Sequence, residues 1–119
     1  MKLLAYSLLT SILLIAVNLP IESQTEISGR LPSKLVKENS PYHVVGDLNI
    51  EENSYTVIEP GVTLVFLGSY QIKGEGDLFA YGTEEEQVTF TSFPGNEIPG
   101  VWRGIQVNRS ELTYCNLLY

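Results

Sequence analysis

The sequence predicts an all-β fold, a solenoid of about three stacked coils, from three observations. Residues 22 positions apart are chemically matched: Val36 falls on Ile58, Tyr42 on Leu64, Val44 on Phe66 and Gly46 on Gly68. Leu48 falls on Tyr70, Ile50 on Ile72, and a third pass begins with Ile58 on Ala80. Fixed-period self-similarity of this length marks a structure built by stacking one unit on the next. From Tyr42 onward apolar and polar residues alternate with period two, the strand signature. Turn signals recur about every eight residues, and no window supports a long amphipathic helix. Three short strands per coil follow, with adjacent coils paired in parallel. The long crossover that parallel strands require is supplied by the rest of each coil. A β-sandwich is the competing all-β reading, but it gives no reason for recurrence at a fixed offset.

The chain opens with residues that do not belong to the folded domain. Met1-Lys2 is a short positive start, Leu3 to Val17 is largely apolar, and polar Glu22-Ser23-Gln24 follows. This is the anatomy of a secretory signal peptide, assigned to residues 1–23 with Ile21-Glu22-Ser23 as the expected cleavage region. The apolar run is short for a membrane span, which needs roughly 20 residues. An uncleaved N-terminal anchor is the alternative. No cysteine lies near this segment, so a lipoprotein anchor is not supported. The expected location is secreted, extracellular.

Residues 24–41 are polar, broken by Gly29 and Pro32, and only Lys34-Leu35-Val36-Lys37 reads as a strand. They are expected to cap the first coil, because an open end of a stack exposes apolar side chains and unpaired backbone. Residues 42–119 carry the coils. In Val62-Thr63-Leu64-Val65-Phe66, positions 62, 64 and 66 are expected to point inward. Leu48-Asn49-Ile50, Tyr70-Gln71-Ile72 and Ile105-Gln106-Val107 repeat one apolar–amide–apolar triplet. The amides Asn49, Gln71 and Gln106 are therefore expected one above another on an exposed face, joined there by Trp102 and Arg103. Glu59-Pro60-Gly61-Val62 suits a type II turn, with Pro60 fixing φ and Gly61 accepting a positive one. Gly82 occupies the matching corner one coil later. Glu84-Glu85-Glu86 lengthens that corner, placing Phe66 on Phe90, and the loop from Phe93 to Gly100 pushes Tyr70 out to Ile105.

Composition excludes some function classes. Counting from Gln24, 13 acids face 6 bases and the net charge is −7, which disfavours binding to a phosphate backbone. Glu51-Glu52 and Glu84-Glu85-Glu86 sit at expected corners and read as solvated. Cys115 is the single cysteine, so no internal disulfide forms. An intermolecular bond and a half-buried small hydrophobe are both open readings for it.

The phrases Asn39-Ser40-Pro41-Tyr42, Gly46-Asp47-Leu48-Asn49-Ile50, Ile58-Glu59-Pro60-Gly61-Val62, Ala80-Tyr81-Gly82-Thr83, Val88-Thr89-Phe90-Thr91-Ser92 and Trp102-Arg103-Gly104-Ile105 resemble the right-handed parallel β-helix repeat. That superfamily includes pectate lyases and many secreted or surface proteins. The resemblance covers about Lys34 to the C-terminus and implies a right-handed β-helix. The Ser-Pro-Tyr, Ile-Glu-Pro-Gly-Val and Trp-Arg-Gly phrases are similar to the first β-helix region of large animal adhesion proteins of the bark beetle type. Thr56 stands where that pattern usually has Leu, and Gln87 where Pro often precedes the strand. The strand-like end from Leu112 to Tyr119 carries no polar cap, so a truncated stack is expected, able to self-associate through its uncapped end.

Catalytic chemistry is weakly supported. A polysaccharide lyase on this scaffold needs laddered acids for calcium and an Arg or Lys base. Asp47, Asp77 and Glu59 do not stack, since the offset places Asp47 on Ser69 and Asp77 on Tyr55. Trp102-Arg103 could stack on a sugar, but packing at a corner is the simpler role. His43, the single histidine, faces outward by alternation with no partner in spacing and reads as a surface residue. No metal motif is present, and no metal or cofactor is expected. Thr89-Phe90-Thr91 resembles the faces of ice-binding solenoids but occurs once. Asn108-Arg109-Ser110 is an N-glycosylation sequon. The expected function is a secreted, non-catalytic scaffold for extracellular recognition or cell adhesion, part of a larger protein. Its expected partner is a protein or carbohydrate at the cell surface, not nucleic acid. The alternative is the N-terminal part of a carbohydrate-active, lyase-like β-helix enzyme.

Overall fold

A computed structural model describes residues 25–92 and 102–118. The expected signal peptide, its expected cleavage region and the loop from Phe93 to Gly100 lie outside the described residues. Among the described residues eleven strands follow in order: β1 (Thr25–Arg30), β2 (Lys34–Leu35), β3 (Tyr42–Ile50), β4 (Tyr55–Ile58), β5 (Thr63–Phe66), β6 (Ile72–Gly74), β7 (Asp77–Tyr81), β8 (Val88–Ser92), β9 (Ile105–Gln106), β10 (Arg109–Thr113) and β11 (Cys115–Leu117). One 3-10 turn, Lys37–Asn39, separates β2 from β3. Every strand pairing among the described residues is parallel.

The all-β expectation holds, with 4% of the described residues helical, but the expected right-handed β-helix does not. The strands form parallel sheets that curl into a half-barrel. One sheet has seven strands, ordered β11-β8-β5-β3-β6-β9 with β1 also on β3; the other has four, ordered β10-β7-β4-β2. The reason lies in β3. Short strands were expected, three to a coil, yet β3 runs for 9 residues. Its first half pairs with β5 and its second half with β6, so two expected faces merge into one curved sheet. Gly46-Asp47, in the middle of β3, lies at a register irregularity against β1 without ending the strand.

Several registers match the repeat and others correct it. Tyr42 lies opposite Leu64, Val44 opposite Phe66, and Ile58 opposite Ala80. Leu48, expected on Tyr70, lies opposite Ile72, and Ile50 lies opposite Gly74. The corner at Gly68-Ser69-Tyr70 takes up the two additional residues, with Tyr70 N–H donating to Gly68 O at 2.8 Å. Phe90 lies opposite Leu64 rather than Phe66, whose partner is Ser92. There the corner closes on itself: Thr83 N–H donates to Glu86 O at 3.0 Å, and Glu86 N–H to the Thr83 hydroxyl at 3.0 Å. Ile105 lies opposite Ile72, not Tyr70, and Leu35 rather than Val36 opposes Ile58.

The core sits between the two sheets. Alternation turns Tyr42, Val44, Leu48 and Ile50 inward from β3, Leu64 and Phe66 from β5, Leu78 and Ala80 from β7, and Val88 and Phe90 from β8. Burying each large aliphatic side chain contributes about 1.5–3 kcal/mol. Thr56 also points inward, and its hydroxyl donates to Pro32 O at 2.8 Å, which satisfies a polar group that burial would otherwise penalise. Trp102 fills the remaining space, 1% exposed, stacked on Phe66 at 4.6 Å and near Phe90 at 6.0 Å between centroids. Its place on an expected exposed face is therefore corrected: an indole this large, facing two stacked Phe rings, is worth more inside.

Candidate functional site

The outward face of the four-stranded sheet carries the most developed side-chain arrangement among the described residues. Alternation that turns Thr56, Ile58, Leu78 and Ala80 inward must turn Tyr55, Val57, Asp77, Phe79 and Tyr81 outward. Parallel register then stacks Tyr55, Asp77 and Arg109 in one column, and Val57, Phe79 and Glu111 in the next. Tyr81 lies opposite Thr113. An aromatic strip results, with Tyr55 and Phe79 6.4 Å apart and tilted, and Phe79 and Tyr81 6.1 Å apart and stacked. Tyr55 is 55% exposed and Tyr81 41%.

Polar groups fix this strip. The Arg109 guanidinium lies 5.2 Å from the centre of the Phe79 ring and reaches Asp77 Oδ2 at 3.6 Å. Asn108 Nδ2 donates to Asp77 Oδ1 at 2.8 Å, so that carboxylate is held from two sides. The Tyr81 hydroxyl donates to Glu111 Oε2 at 2.9 Å. This bond, followed by partial burial, raises the phenol above its usual value, since ionising it would place two negative charges together.

A cleft of about 490 Å³ opens at the Tyr55 end, within the range of small-ligand sites. Its walls are successive turns of the chain: Glu52, Asn53 and Ser54 before β4, Glu75 and Gly76 before β7, and Asn108 before β10. Tyr55, Asp77, Phe79 and Arg109 complete it. Gly76 is required here, because a Cβ would lie 2.4 Å from both Glu51 O and Ile50 Cγ2. Asn108 N–H donates to Gly76 O at 3.0 Å, which sets the wall's spacing.

The expected amide face is not assembled as read. Asn49 lies opposite Lys73, which lies opposite Gln106, so Lys73 takes the place expected for Gln71. The Gln71 backbone N–H donates instead to Asp47 Oδ1 at 3.1 Å, and Asp47 also faces Lys73 Nζ at 3.6 Å. Arg103 is exposed and its backbone N–H donates to Tyr70 O at 2.7 Å. Gly61 has φ 82°, and Val62 N–H donates to Glu59 O at 3.3 Å, the closure of a type II turn after Pro60. Gly82 lies where a Cβ would meet Tyr114 O at 2.3 Å. His43 is half-buried opposite Val65.

Among the carboxylates, Glu59 accepts from Lys34 and from the Lys37 N–H, which together hold it below its usual value. Glu51 faces Arg30 at 3.4 Å and Glu86 pairs with Lys37. Cys115 is half-buried, and burial pushes its thiol up. Among the described residues no group of His, Cys, Asp and Glu could hold a metal ion, and no helix is long and apolar enough to cross a membrane.

Tyr55, Phe79 and Tyr81 were not singled out from sequence. The signal was present, since the offset already set Asp77 beside Tyr55 and alternation set Phe79 and Tyr81 outward. Comparison with known protein families, with curated proteins and with solved structures finds no match.

Proposed function

We propose that the chain is a secreted, non-catalytic scaffold for extracellular recognition or cell adhesion, and that its ligand meets the aromatic face of the four-stranded sheet. The observation that carries this reading is the strip Tyr55, Phe79 and Tyr81, held outward on strands by Arg109, Asp77 and Glu111. Exposed aromatics on rigid strands supply large contact area with little ordering cost, and Tyr and Arg are enriched where binding energy concentrates. The flanking ion pair and hydroxyl–carboxylate bond give direction to polar contacts with a protein or carbohydrate ligand. The signal-like opening of the sequence supports an extracellular setting.

The test is a binding screen of the full chain against immobilised extracellular proteins and glycans, followed by the Y55A/Y81A double variant. Loss of about 30-fold or more in affinity is expected, the scale of a 2 kcal/mol hot spot. Unchanged affinity refutes the face as the contact surface. Cleavage of a polysaccharide by the purified chain refutes the non-catalytic reading.

A further inference from the structure

We propose that Asn108 carries an N-linked glycan whose first sugar seats in the cleft beside Tyr55, so that the chain's own carbohydrate covers one end of the aromatic face. The inference rests on the secreted reading above. Asn108-Arg109-Ser110 satisfies the sequon, and both Asn108 and Ser110 are exposed. The structure adds what the motif does not contain: Asn108 is itself a wall of the cleft, and its Nδ2 points at Asp77 Oδ1 from 2.8 Å. The atom that would be modified therefore already lies at the mouth of the cavity.

The chemistry is compatible with that position. A lipid-pyrophosphate-linked oligosaccharide is the donor. Its anomeric carbon–oxygen bond to phosphate breaks, a carbon–nitrogen bond forms at Nδ2, one amide proton leaves, and the lipid pyrophosphate departs. A primary amide has two N–H groups, so one remains to donate to Asp77. The cleft presents what a saccharide uses: an aromatic face at Tyr55 for its C–H surface, and Glu52, Asn53 and Glu75 for its hydroxyls. A sugar tethered at the cavity wall experiences a local concentration on the order of millimolar. The far end of the strip, Tyr81 with Glu111, stays open, so a partner is directed there.

The test expresses the full chain in cultured animal cells and recovers it from the medium. Enzymatic release of N-glycans should convert Asn108 to Asp, read by peptide mass spectrometry. Tyrosine nitration then reports coverage. Tyr55 should react about fivefold more slowly in the glycosylated chain than in S110A or N108Q, as a tethered, largely bound sugar implies. Tyr81 and the remote Tyr114, itself 54% exposed, should react equally in all three. A secreted chain with unmodified Asn108 overturns the modification and leaves the secreted reading standing. Glycosylation with equal Tyr55 rates overturns the seating. Retention inside cells overturns both the secreted reading and the inference built on it.

Discussion

Replacing Trp102 by Ala should remove much of the stability of the domain. The indole is 1% exposed, stacks on Phe66 at 4.6 Å, and lies 6.0 Å from Phe90. Its Nε1 donates to Leu118 O at 2.9 Å. Truncation of a buried Trp costs about 3–5 kcal/mol, as lost transfer energy plus the cavity left behind. The two ring contacts raise the expectation toward the upper end, since aromatic pairs add about 0.5–1.5 kcal/mol beyond area. The hydrogen bond adds little, because Leu118 is exposed and water can satisfy its carbonyl. Against a total of about 5–15 kcal/mol for a domain, that is a large fraction. Thermal melting should fall by roughly 15–40 °C, at about 4–8 °C per kcal/mol for this size. Circular dichroism is the assay, because Trp102 is the single tryptophan and its loss removes the fluorescence signal. Trp102→Phe, which keeps a stacked ring, should cost less than half as much. A W102A chain that melts within a few degrees of the parent refutes the packing argument.

The two buried hydroxyls should respond in opposite directions. Thr56→Val leaves the Pro32 carbonyl without its donor and should cost about 1–2 kcal/mol in urea unfolding, whereas Ser92, whose Oγ has no partner among the described residues, should tolerate Ala with no loss or a gain of up to about 1 kcal/mol. Glu59 should titrate below the ordinary 4.5, chiefly through its bond to Lys34, so its contribution is present above that value and is lost as pH falls through the lower folded value. Lys34→Met should move the Glu59 carboxyl resonance in an NMR titration back toward ordinary; an unmoved curve refutes the assigned cause.

Where the sequence was legible, side-chain alternation and turn chemistry agreed. Tyr42 on Leu64, Ile58 on Ala80 and Asp77 on Tyr55 follow from counting, because the residues between them form corners of standard length. Counting failed where a corner changed length behind a plausible apolar residue. Tyr70 resembles an inward strand residue, yet it belongs to the corner, folded so that a Cβ on Gly68 would touch its ring at 3.0 Å. That two-residue slip carried the amide column with it and left Lys73 where Gln71 was expected. The curvature was illegible for a different reason. The repeat set short strands on either side of Gly46, whereas the backbone pairs on through it into β6. Trp102 shows the same limit at the site: a Trp-Arg pair has one sequence whether it faces solvent or two Phe rings. The aromatic face needed both the offset and the alternation applied together at β7.

The uniform parallel pairing also bears on how the chain reaches its native state. Each strand pairs with partners a few tens of residues away, from Thr25 with Tyr42 at the near end to Ile72 with Ile105 among the longest. Among the described residues no pairing joins the first strands to the last. Loop-closure entropy grows only logarithmically, at about 0.6 kcal/mol per doubling, so every step of the assembly meets nearly the same cost. Each finished strand then offers its free edge as a template for the next, and the sheets can grow in the order in which the chain is synthesised. Long-range β pairing ordinarily slows folding because distant ends must meet before any contact is rewarded. In this arrangement the distant ends never have to meet.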